Sequence, residues 1–385
     1  MRVSSLVLSI AGIVLGACVF PVAQNCQADD RQGPQANAEI NAILTPLREK
    51  YKLPALAAAV VRGKGLMAVG AVGVRKCGDD TKVTVSDEFH LGSDTKAMTA
   101  TVIASLVQDG KLNWNDTLGR TFPKLAGSMT PALRKVTLTQ LLTHHAGLRA
   151  NVAGGWSTIL RRGTTREQRQ NVLEKIAEEK LEYEPDKEFH YSNLGYVLAA
   201  HMAEKAANAS WEELMAKRLF EPLHMRSAGF GAMGARDKLD QPWQHTKDGK
   251  PIAPGPFSDN PPVMGPAGTV HCSLPDWARF IADQLRGARG ERALLKPKTY
   301  TKLHTSPYRD QFYTLGGWAG RAEDDQAGGV ALAHDGSNNR NFAVAWLAPQ
   351  RDLAILVVCN QGGDDAKKAC HEARKLLLQK YAKKR

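Results

Sequence analysis

Ser93 and Lys96 have complementary chemistry and lie three positions apart, at the start of a segment predicted to be an amphipathic helix. In a helix they share one face, so the lysine amine can reach the serine hydroxyl. A serine needs a base to become a nucleophile, and a desolvated lysine with a lowered pKa can be that base. Ser93 is the only serine in the chain with a lysine three residues on. The structural alternative is an N-cap serine beside a surface lysine.

A second candidate pair, Tyr191 and Asn193, also stands directly before a predicted helix. A phenol near a lysine ammonium can act as a base or carry a proton, and an amide can hold a substrate carbonyl. Tyr191 is the only one of eight tyrosines with an asparagine two residues on. A capped helix start explains the tripeptide equally well when it is taken alone.

The third candidate segment contains His334, Gly336 and Ser337 at the end of a predicted strand. His90 and His145 also begin His-x-Gly tripeptides, but His334 follows an apolar strand segment and precedes two more strands. The imidazole can donate to a leaving group or substrate, and the glycine lets a ligand approach the backbone. The next backbone N–H can complete an oxyanion hole.

The elements that must position these residues are predicted from hydrophobic patterning. Apolar runs joined by turn residues predict one hairpin near each end of the chain, at residues 57–61 with 66–69 and at 342–347 with 353–358. Helices are predicted between them at residues 97–107, 194–206, 211–220 and 277–285, with a long ordered loop at 241–268.

This arrangement predicts an α+β fold, in which an antiparallel sheet is built from both chain ends with flanking helices, beside a mainly helical insertion lobe. A crevice between two lobes is a usual place for a substrate. The catalytic domain is predicted at residues 37–385. Its α/β lobe covers about residues 37–95 and 265–385, and its helical lobe about 96–264.

The three motifs together resemble a known family. Ser-x-x-Lys at 93–96, Tyr-x-Asn at 191–193 and His-x-Gly at 334–336, in this order, look like the active-site motifs of the class C β-lactamase and penicillin-binding protein family. The resemblance covers about residues 38–378. Four further segments are similar to sequences typical of the family, at residues 141–148, 191–198, 218–223 and 265–268.

The resemblance implies a role for each motif residue. Ser93 would be the acylated nucleophile, with Lys96 and Tyr191 sharing the proton transfers; which of the two is the base stays open. Asn193 would orient the acyl group of the substrate. The backbone N–H groups of Ser93 and Ser337 would form the oxyanion hole.

The third motif departs from the Lys-Thr-Gly that is typical of the β-lactamases. A histidine at this place resembles the family's D-amino-acid peptidases and esterases. With an unperturbed pKa of about 6.5, His334 loses much of its charge at neutral pH, whereas a lysine would keep a charge for a substrate carboxylate. Asp335 can raise that pKa and Arg340 can supply a replacement charge. On balance we expect hydrolysis of short-chain esters to exceed that of β-lactams.

The first residues have the composition of an export signal. A short basic start and an apolar run over residues 3–20 predict a signal peptide at residues 1–28. A lipoprotein pattern that ends in Cys18 is an alternative, with Cys18 as a lipid anchor. We therefore expect the protein to be exported, to the periplasm or beyond.

The formal net charge of +12 is concentrated in residues 367–385, which predict a surface helix with a solvated basic face. This face could associate with an anionic cell envelope, whereas nucleic-acid binding does not suit an export signal. Of the four cysteines after residue 28, Cys359 and Cys370 are the only close pair, either as a disulfide or as free thiols. No metal or other cofactor is expected, because the chain has neither Cys-x-x-Cys nor His-Glu-x-x-His.

The sequence thus predicts an exported, monomeric serine hydrolase that forms an acyl-enzyme on Ser93 and acts on small esters or amides. The alternative among enzymes is a D,D-peptidase that acts on D-amino-acid peptides, or a weak β-lactamase. A protein that binds such ligands without turnover, a penicillin-binding receptor, is the alternative outside enzymes.

Overall fold

The computed structural model describes residue 1 and residues 35–159, 162–308 and 312–382. It divides the chain into two units, residues 1–33 and 34–385, and every element below belongs to the second unit. The predicted signal peptide and Cys18 lie outside the described residues, apart from residue 1.

Twelve α-helices and eleven strands are found in the described part of the chain. The helices are α1 Ala38–Lys50, α2 Thr95–Gln108, α3 Leu118–Thr121, α4 Pro131–Lys135, α5 Leu138–Leu142, α6 Thr165–Ile176, α7 Asn193–Ala207, α8 Trp211–Met215, α9 Gly265–Gly268, α10 Leu274–Ala288, α11 Pro297–Leu303 and α12 Asp364–Tyr381. The strands are β1 Ala55–Arg62, β2 Gly65–Gly73, β3 Glu88–His90, β4 Gly229–Phe230, β5 Gln244–His245, β6 Pro251–Ile252, β7 Val270–Ser273, β8 Ala319–Asp324, β9 Gly329–Ser337, β10 Phe342–Ala348 and β11 Leu353–Cys359.

Six strands form one antiparallel sheet in the order β2-β1-β11-β10-β9-β8. Within this sheet β1 pairs with β11, with Ala58 opposite Val357, and this pairing joins the two ends of the chain. Both predicted hairpins are confirmed, as β1 with β2 and as β10 with β11. The predicted α+β fold is therefore confirmed.

Helices cover both faces of this sheet, which explains why its central strands are apolar throughout. Successive side chains of a strand point to opposite faces. Leu56 and Val60 of β1 pack in the core beneath α1 and α12, whereas Ala57 and Val61 pack in the larger core with α10 and α2. A strand that is buried on both faces shows no polar alternation.

The predicted helices are present with small shifts at their ends, and two segments differ. The predicted helix over residues 211–220 is α8 followed by a π-helical turn, Ala216–Phe220. The predicted loop over residues 241–268 contains the short β5–β6 hairpin and ends in α9. The division into an α/β lobe and a helical lobe at the predicted residues stays a prediction.

The C-terminal segment folds as the amphipathic surface helix α12, which buries Ala369, Leu377 and Leu378 while Lys367 and Lys375 are exposed. Cys370 of α12 and Cys359 of β11 are buried free thiols, so the disulfide alternative is not found. Within the residues that the structure describes, no helix has the length and apolar character needed to cross a membrane.

Candidate active site

Ser93 lies in a short 3₁₀ turn, Gly92–Asp94, between β3 and α2. Strand β9 packs directly on this turn. A side chain at Gly92, whose φ is +51°, would collide with the backbone nitrogen of Ser337, and one at Gly336 would collide with the carbonyl oxygen of Leu91. Because both positions lack a Cβ, the first and third motifs come into backbone contact.

Lys96, one turn into α2, is completely buried. Its Nζ lies 3.1 Å from Ser93 Oγ, 2.9 Å from Asn193 Oδ1 and 2.7 Å from the carbonyl oxygen of Ala267. Burial holds the pKa of Lys96 well below its usual range, and Asp94 acts in the opposite direction. Asp94 is itself buried, and burial holds its pKa well above the usual carboxyl value, which weakens that opposition.

These three contacts define what a neutral Lys96 amine does. The oxygens of Asn193 and Ala267 can only accept hydrogen bonds, so they take the two N–H groups of the amine. Its lone pair then faces Ser93 Oγ, which can donate. In the neutral form the lysine is thus placed to accept the serine proton.

The amide of Asn193 is oriented by residues that the motif analysis did not identify. Its Nδ2 donates to Asn151 Oδ1 over 3.0 Å, and the same oxygen accepts a 2.9 Å hydrogen bond from Trp156 Nε1. Because Asn151 Oδ1 must accept from both neighbours, Asn193 turns its own oxygen toward Lys96. No sequence signal pointed to this contact, since Asn151 stands in a turn 42 residues before Asn193.

Tyr191 lies beside the lysine, with its ring centroid 4.7 Å from Lys96 Nζ. Burial raises the pKa of the Tyr191 phenol, against a hydrogen bond with Ser93 that lowers it. His144, at the end of α5, packs its ring 4.4 Å from that of Tyr191 and accepts the backbone N–H of Ser192 at Nδ1. A phenol that keeps its proton serves better as a proton carrier than as the base.

His334 lies on β9, facing Tyr191 at a ring separation of 6.3 Å. Its Nδ1 is 2.8 Å from the carbonyl oxygen of Asp335, so Nδ1 carries the proton and Nε2 accepts from Tyr313 Oη over 3.0 Å. Burial first, and Lys96 second, lower the pKa of His334 to about 4, although Asp335 acts to raise it. His334 is therefore neutral at physiological pH, with both ring nitrogens engaged.

The remaining predicted site residues lie on and after the end of β9. Ser337 is opposite Phe342 in the sheet, and its Oγ donates to the carbonyl oxygen of Asn341. Arg340 is turned toward the loop before α9, where its Nη1 donates to the carbonyl oxygen of Phe257 over 3.3 Å. The structure thus brings Ser93, Lys96, Tyr191, Asn193, His334, Gly336 and Ser337 together, whereas Arg340 makes its hydrogen bond away from them. The catalytic and binding roles of all eight stay predictions.

The comparison with known families decides the class of this protein. The sequence model of the beta-lactamase family matches residues 40–379, almost the whole of the described chain. The chain belongs to the β-lactamase family. Members of this family are generally serine hydrolases, and the site described above lies wholly within the matched residues.

Related proteins and structures agree with this assignment. Penicillin-binding protein 4 of Amycolatopsis lactamdurans is 26% identical over 329 residues, which are 82% of this chain and 83% of that protein. Protein flp of Staphylococcus aureus strain NCTC 8325 is 22% identical over 335 residues, or 84% of this chain. The match spans only 62% of the length of protein flp.

Two solved structures show the same fold at low sequence identity. The octameric penicillin-binding protein homologue from Pyrococcus abyssi superposes with a TM-score of 0.71 at 21% identity, covering 90% of this chain and 78% of that one. The D-alanine carboxypeptidase AmpC from Burkholderia cenocepacia superposes with a TM-score of 0.68 at 21% identity, covering 87% and 98%.

The structure adds three buried residues to the site that the motifs did not reveal. Asp94 has no hydrogen-bond partner for either carboxyl oxygen among the described residues, Tyr313 donates to His334, and His144 backs Tyr191. Within the described residues no group of three or more His, Cys, Asp or Glu side chains could hold a metal ion.

Proposed function

We propose that this chain is a serine hydrolase that forms an acyl-enzyme on Ser93 and hydrolyses small esters or amides. The observation that carries the proposal is the contact of a buried lysine amine of lowered pKa with the serine hydroxyl, 3.1 Å from Lys96 Nζ to Ser93 Oγ. A buried lysine without a carboxylate hydrogen-bond partner has little structural value, because burial disfavours its charge. Its value lies in proton transfer.

Acylation follows from these positions. Ser93 Oγ attacks the carbonyl carbon of the substrate while its proton moves to Lys96 Nζ. The carbonyl oxygen becomes an oxyanion, which the backbone N–H groups of Ser93 and Ser337 stabilise. The tetrahedral intermediate collapses when the bond to the leaving group breaks, and the leaving group takes a proton that Lys96 passes on through the Tyr191 phenol.

Deacylation uses the same groups in reverse. A water molecule attacks the acyl carbonyl carbon and gives one proton to the neutral Lys96 amine, directly or through the Tyr191 phenol. The bond from the carbonyl carbon to Ser93 Oγ breaks, and the serine oxygen takes a proton back from Lys96. The acid product leaves, and the enzyme returns to its starting state with no net change in protons bound.

The neutrality of His334 supports the choice of esters and uncharged amides over β-lactams. A β-lactam brings a carboxylate that the lysine of Lys-Thr-Gly would face with a permanent charge. Here burial lowers the pKa of His334 to about 4, and the guanidinium of Arg340 is engaged with the Phe257 carbonyl. A substrate without a carboxylate therefore suits the site better.

A second candidate is a D,D-peptidase or a weak β-lactamase. It is favoured by the likeness to two proteins, the D-alanine carboxypeptidase AmpC from Burkholderia cenocepacia and penicillin-binding protein 4 of Amycolatopsis lactamdurans. A panel of p-nitrophenyl esters, D-alanyl-D-alanine peptides and β-lactams tests both candidates. An initial burst followed by steady turnover of esters supports our proposal, whereas turnover confined to the peptides or β-lactams supports the second.

Stoichiometric acylation of Ser93 without turnover on any of the three substrate classes would instead make the protein a penicillin-binding receptor. Release of one equivalent of p-nitrophenol per enzyme, followed by no further release, is the signature of that outcome.

We further propose that the protein is exported, because of the signal-like segment at residues 1–28. Cell fractionation and N-terminal sequencing of the mature protein test export. A retained Cys18 that takes up labelled palmitate would establish a lipid anchor instead of simple cleavage. The exposed lysines of α12 support association with an anionic envelope, and sedimentation with anionic vesicles at low and high salt tests it. Size-exclusion chromatography with light scattering tests the proposed monomer.

A further inference from the structure

A buried histidine joins the serine turn to the loop over residues 241–268. His90, the last residue of β3, is 1% exposed and accepts the backbone N–H of Gly92 at Nδ1 over 3.0 Å. Since Nδ1 accepts, the proton of the neutral ring sits on Nε2, which donates to Asp259 Oδ2 over 2.8 Å. His90 therefore ties the backbone just before Ser93 to a carboxylate 169 residues away in the chain.

The second oxygen of that carboxylate holds the third motif. Asp259 Oδ1 accepts from Asn338 Nδ2 over 2.7 Å, and Asn338 directly follows Ser337. The side-chain oxygen of Asn338 accepts the backbone N–H groups of Arg340 at 3.1 Å and Asn341 at 2.9 Å. Asn338 is thus an anchor for the loop after β9, and it is itself held by Asp259.

The two ends of this connection flank the two N–H groups of the proposed oxyanion hole. One end is the backbone N–H of Gly92, next to Ser93, and the other is the side chain of Asn338, next to Ser337. Burying a carboxylate, an imidazole and an amide together costs desolvation energy that apolar residues would avoid. A network in which every member is hydrogen-bonded holds its side chains in one defined geometry.

We infer that His90 and Asp259 are positioning residues that set the separation of the Ser93 and Ser337 N–H groups, and so determine how well the site binds a tetrahedral oxyanion. The inference rests on the proposed function, since it assigns a cause to the oxyanion hole of that mechanism. Oxyanion-hole donors act through their fixed positions, so small displacements reduce the rate strongly.

The substitution Asp259→Asn keeps the shape of the side chain and replaces one of its two hydrogen-bond acceptors with a donor. Asp259 must accept at both oxygens, whereas asparagine offers one acceptor and one donor. Its donor would then face either His90 Nε2–H or the Nδ2 of Asn338, and Asn338 cannot turn its amide without losing the N–H groups of Arg340 and Asn341. One link of the network must break.

Two substitutions of the histidine break the links one at a time. His90→Asn places an amide oxygen near the position of Nδ1 and keeps the contact with Gly92 while losing Asp259. His90→Gln reaches Asp259 with its amide nitrogen and loses the contact with Gly92. The matched control is Asp283→Asn in α10, another buried carboxylate, which hydrogen-bonds Tyr300 and the backbone N–H of Leu294 away from the site.

The experiment measures the rate at which a fluorophosphonate labels Ser93 and the inhibition constant of phenylboronic acid, which mimics the tetrahedral oxyanion. In labelling, Ser93 Oγ bonds to phosphorus, fluoride leaves, and the serine proton passes to Lys96. We expect Asp259→Asn and both His90 variants to label about 10- to 100-fold more slowly and to raise the inhibition constant by a similar factor. The KM for a short ester should change less than about 3-fold.

Thermal unfolding distinguishes positioning from a loss of folding. Asp283→Asn is expected to lower the melting temperature without changing either constant at 25 °C. Folded Asp259 and His90 variants with wild-type labelling and boronate inhibition would overturn the inference and leave the proposed function intact. A wild-type protein that does not label at Ser93 would overturn the proposed function, and the inference with it.

Discussion

Lys96 Nζ faces Ser93 Oγ across 3.1 Å while its other two hydrogen-bond partners, Asn193 Oδ1 and the Ala267 carbonyl, can only accept. An amine in this position has one arrangement in the neutral form, with its lone pair toward the serine. Burial lowers the pKa of Lys96 and raises that of Tyr191, so the two shifts together favour the lysine as base and the phenol as proton carrier.

Lys96→Arg is accordingly expected to be nearly as damaging as Lys96→Ala, because a guanidinium stays protonated and cannot accept the serine proton. Both should reduce kcat/KM for a short ester by about 10²- to 10⁴-fold. Lys111→Arg, at an exposed lysine, is the control and should keep wild-type kinetics. An arginine variant with most of its activity would make Lys96 an electrostatic anchor and Tyr191 the base.

His334 gives a prediction on stability and pH. Its pKa is about 4 in the folded protein, against about 6.5 in an unfolded chain, so the unfolded state takes up a proton first as the pH falls. The free energy of unfolding that neutral His334 contributes is fully present above pH ~6.5 and is lost as the pH falls toward ~4. Urea unfolding should show that the wild type loses about 2 kcal/mol more than His334→Gln between pH 7 and pH 5. Parallel losses in the two proteins would contradict this.

The contact between β9 and the serine turn predicts a severe effect from a single methyl group. Gly336→Ala would place a Cβ against the Leu91 carbonyl and 2.6 Å from Asp94 Oδ2, so β9 must move away from the turn. We expect turnover to fall by about 100-fold or more, because Ser337 N–H leaves its place. Gly127→Ala meets no atom within 4 Å and is the control. Crystal structures of both variants would show whether β9 moved; an unmoved, active Gly336→Ala enzyme would contradict the packing.

The preference for esters over β-lactams follows from the third motif, where neutral His334 replaces the charged lysine of Lys-Thr-Gly. We expect short-chain esters to be hydrolysed with a kcat/KM at least ~100-fold above that of a chromogenic cephalosporin, a preference of roughly 2.7 kcal/mol in the transition state. His334→Lys should shift the ratio toward substrates with a carboxylate. If the wild type hydrolyses the cephalosporin as fast as its best ester, a β-lactamase function should replace the esterase.

Local patterns in the sequence were sufficient to predict much of this structure. The hairpins β1–β2 and β10–β11 are visible because apolar runs and turn residues lie side by side in the chain. Ser93 and Lys96 could be paired because a helix brings residues three apart to one face. The contacts that the sequence could not reveal join distant segments, such as His90 with Asp259 and Tyr313 with His334.

The protonation states of the site also depended on the fold. The expectation that Asp335 could hold a proton on His334 had the right sign for that one interaction, yet burial outweighs it. How deeply a side chain is buried depends on the packing of the whole domain, which residue spacing does not report. The same holds for Asn193, whose orientation is decided by Asn151 and Trp156.

Acylation of Ser93 is tested most directly by intact-mass spectrometry of the protein during turnover of a p-nitrophenyl ester, followed by peptide mapping. The proposed mechanism requires one acyl adduct per molecule, on the peptide that contains Ser93, which disappears as the substrate is exhausted. Ser93→Ala should show neither adduct nor turnover, while Ser86→Ala, at an exposed serine, should behave as the wild type. Continued turnover by Ser93→Ala, or an adduct on a different residue, would contradict the mechanism.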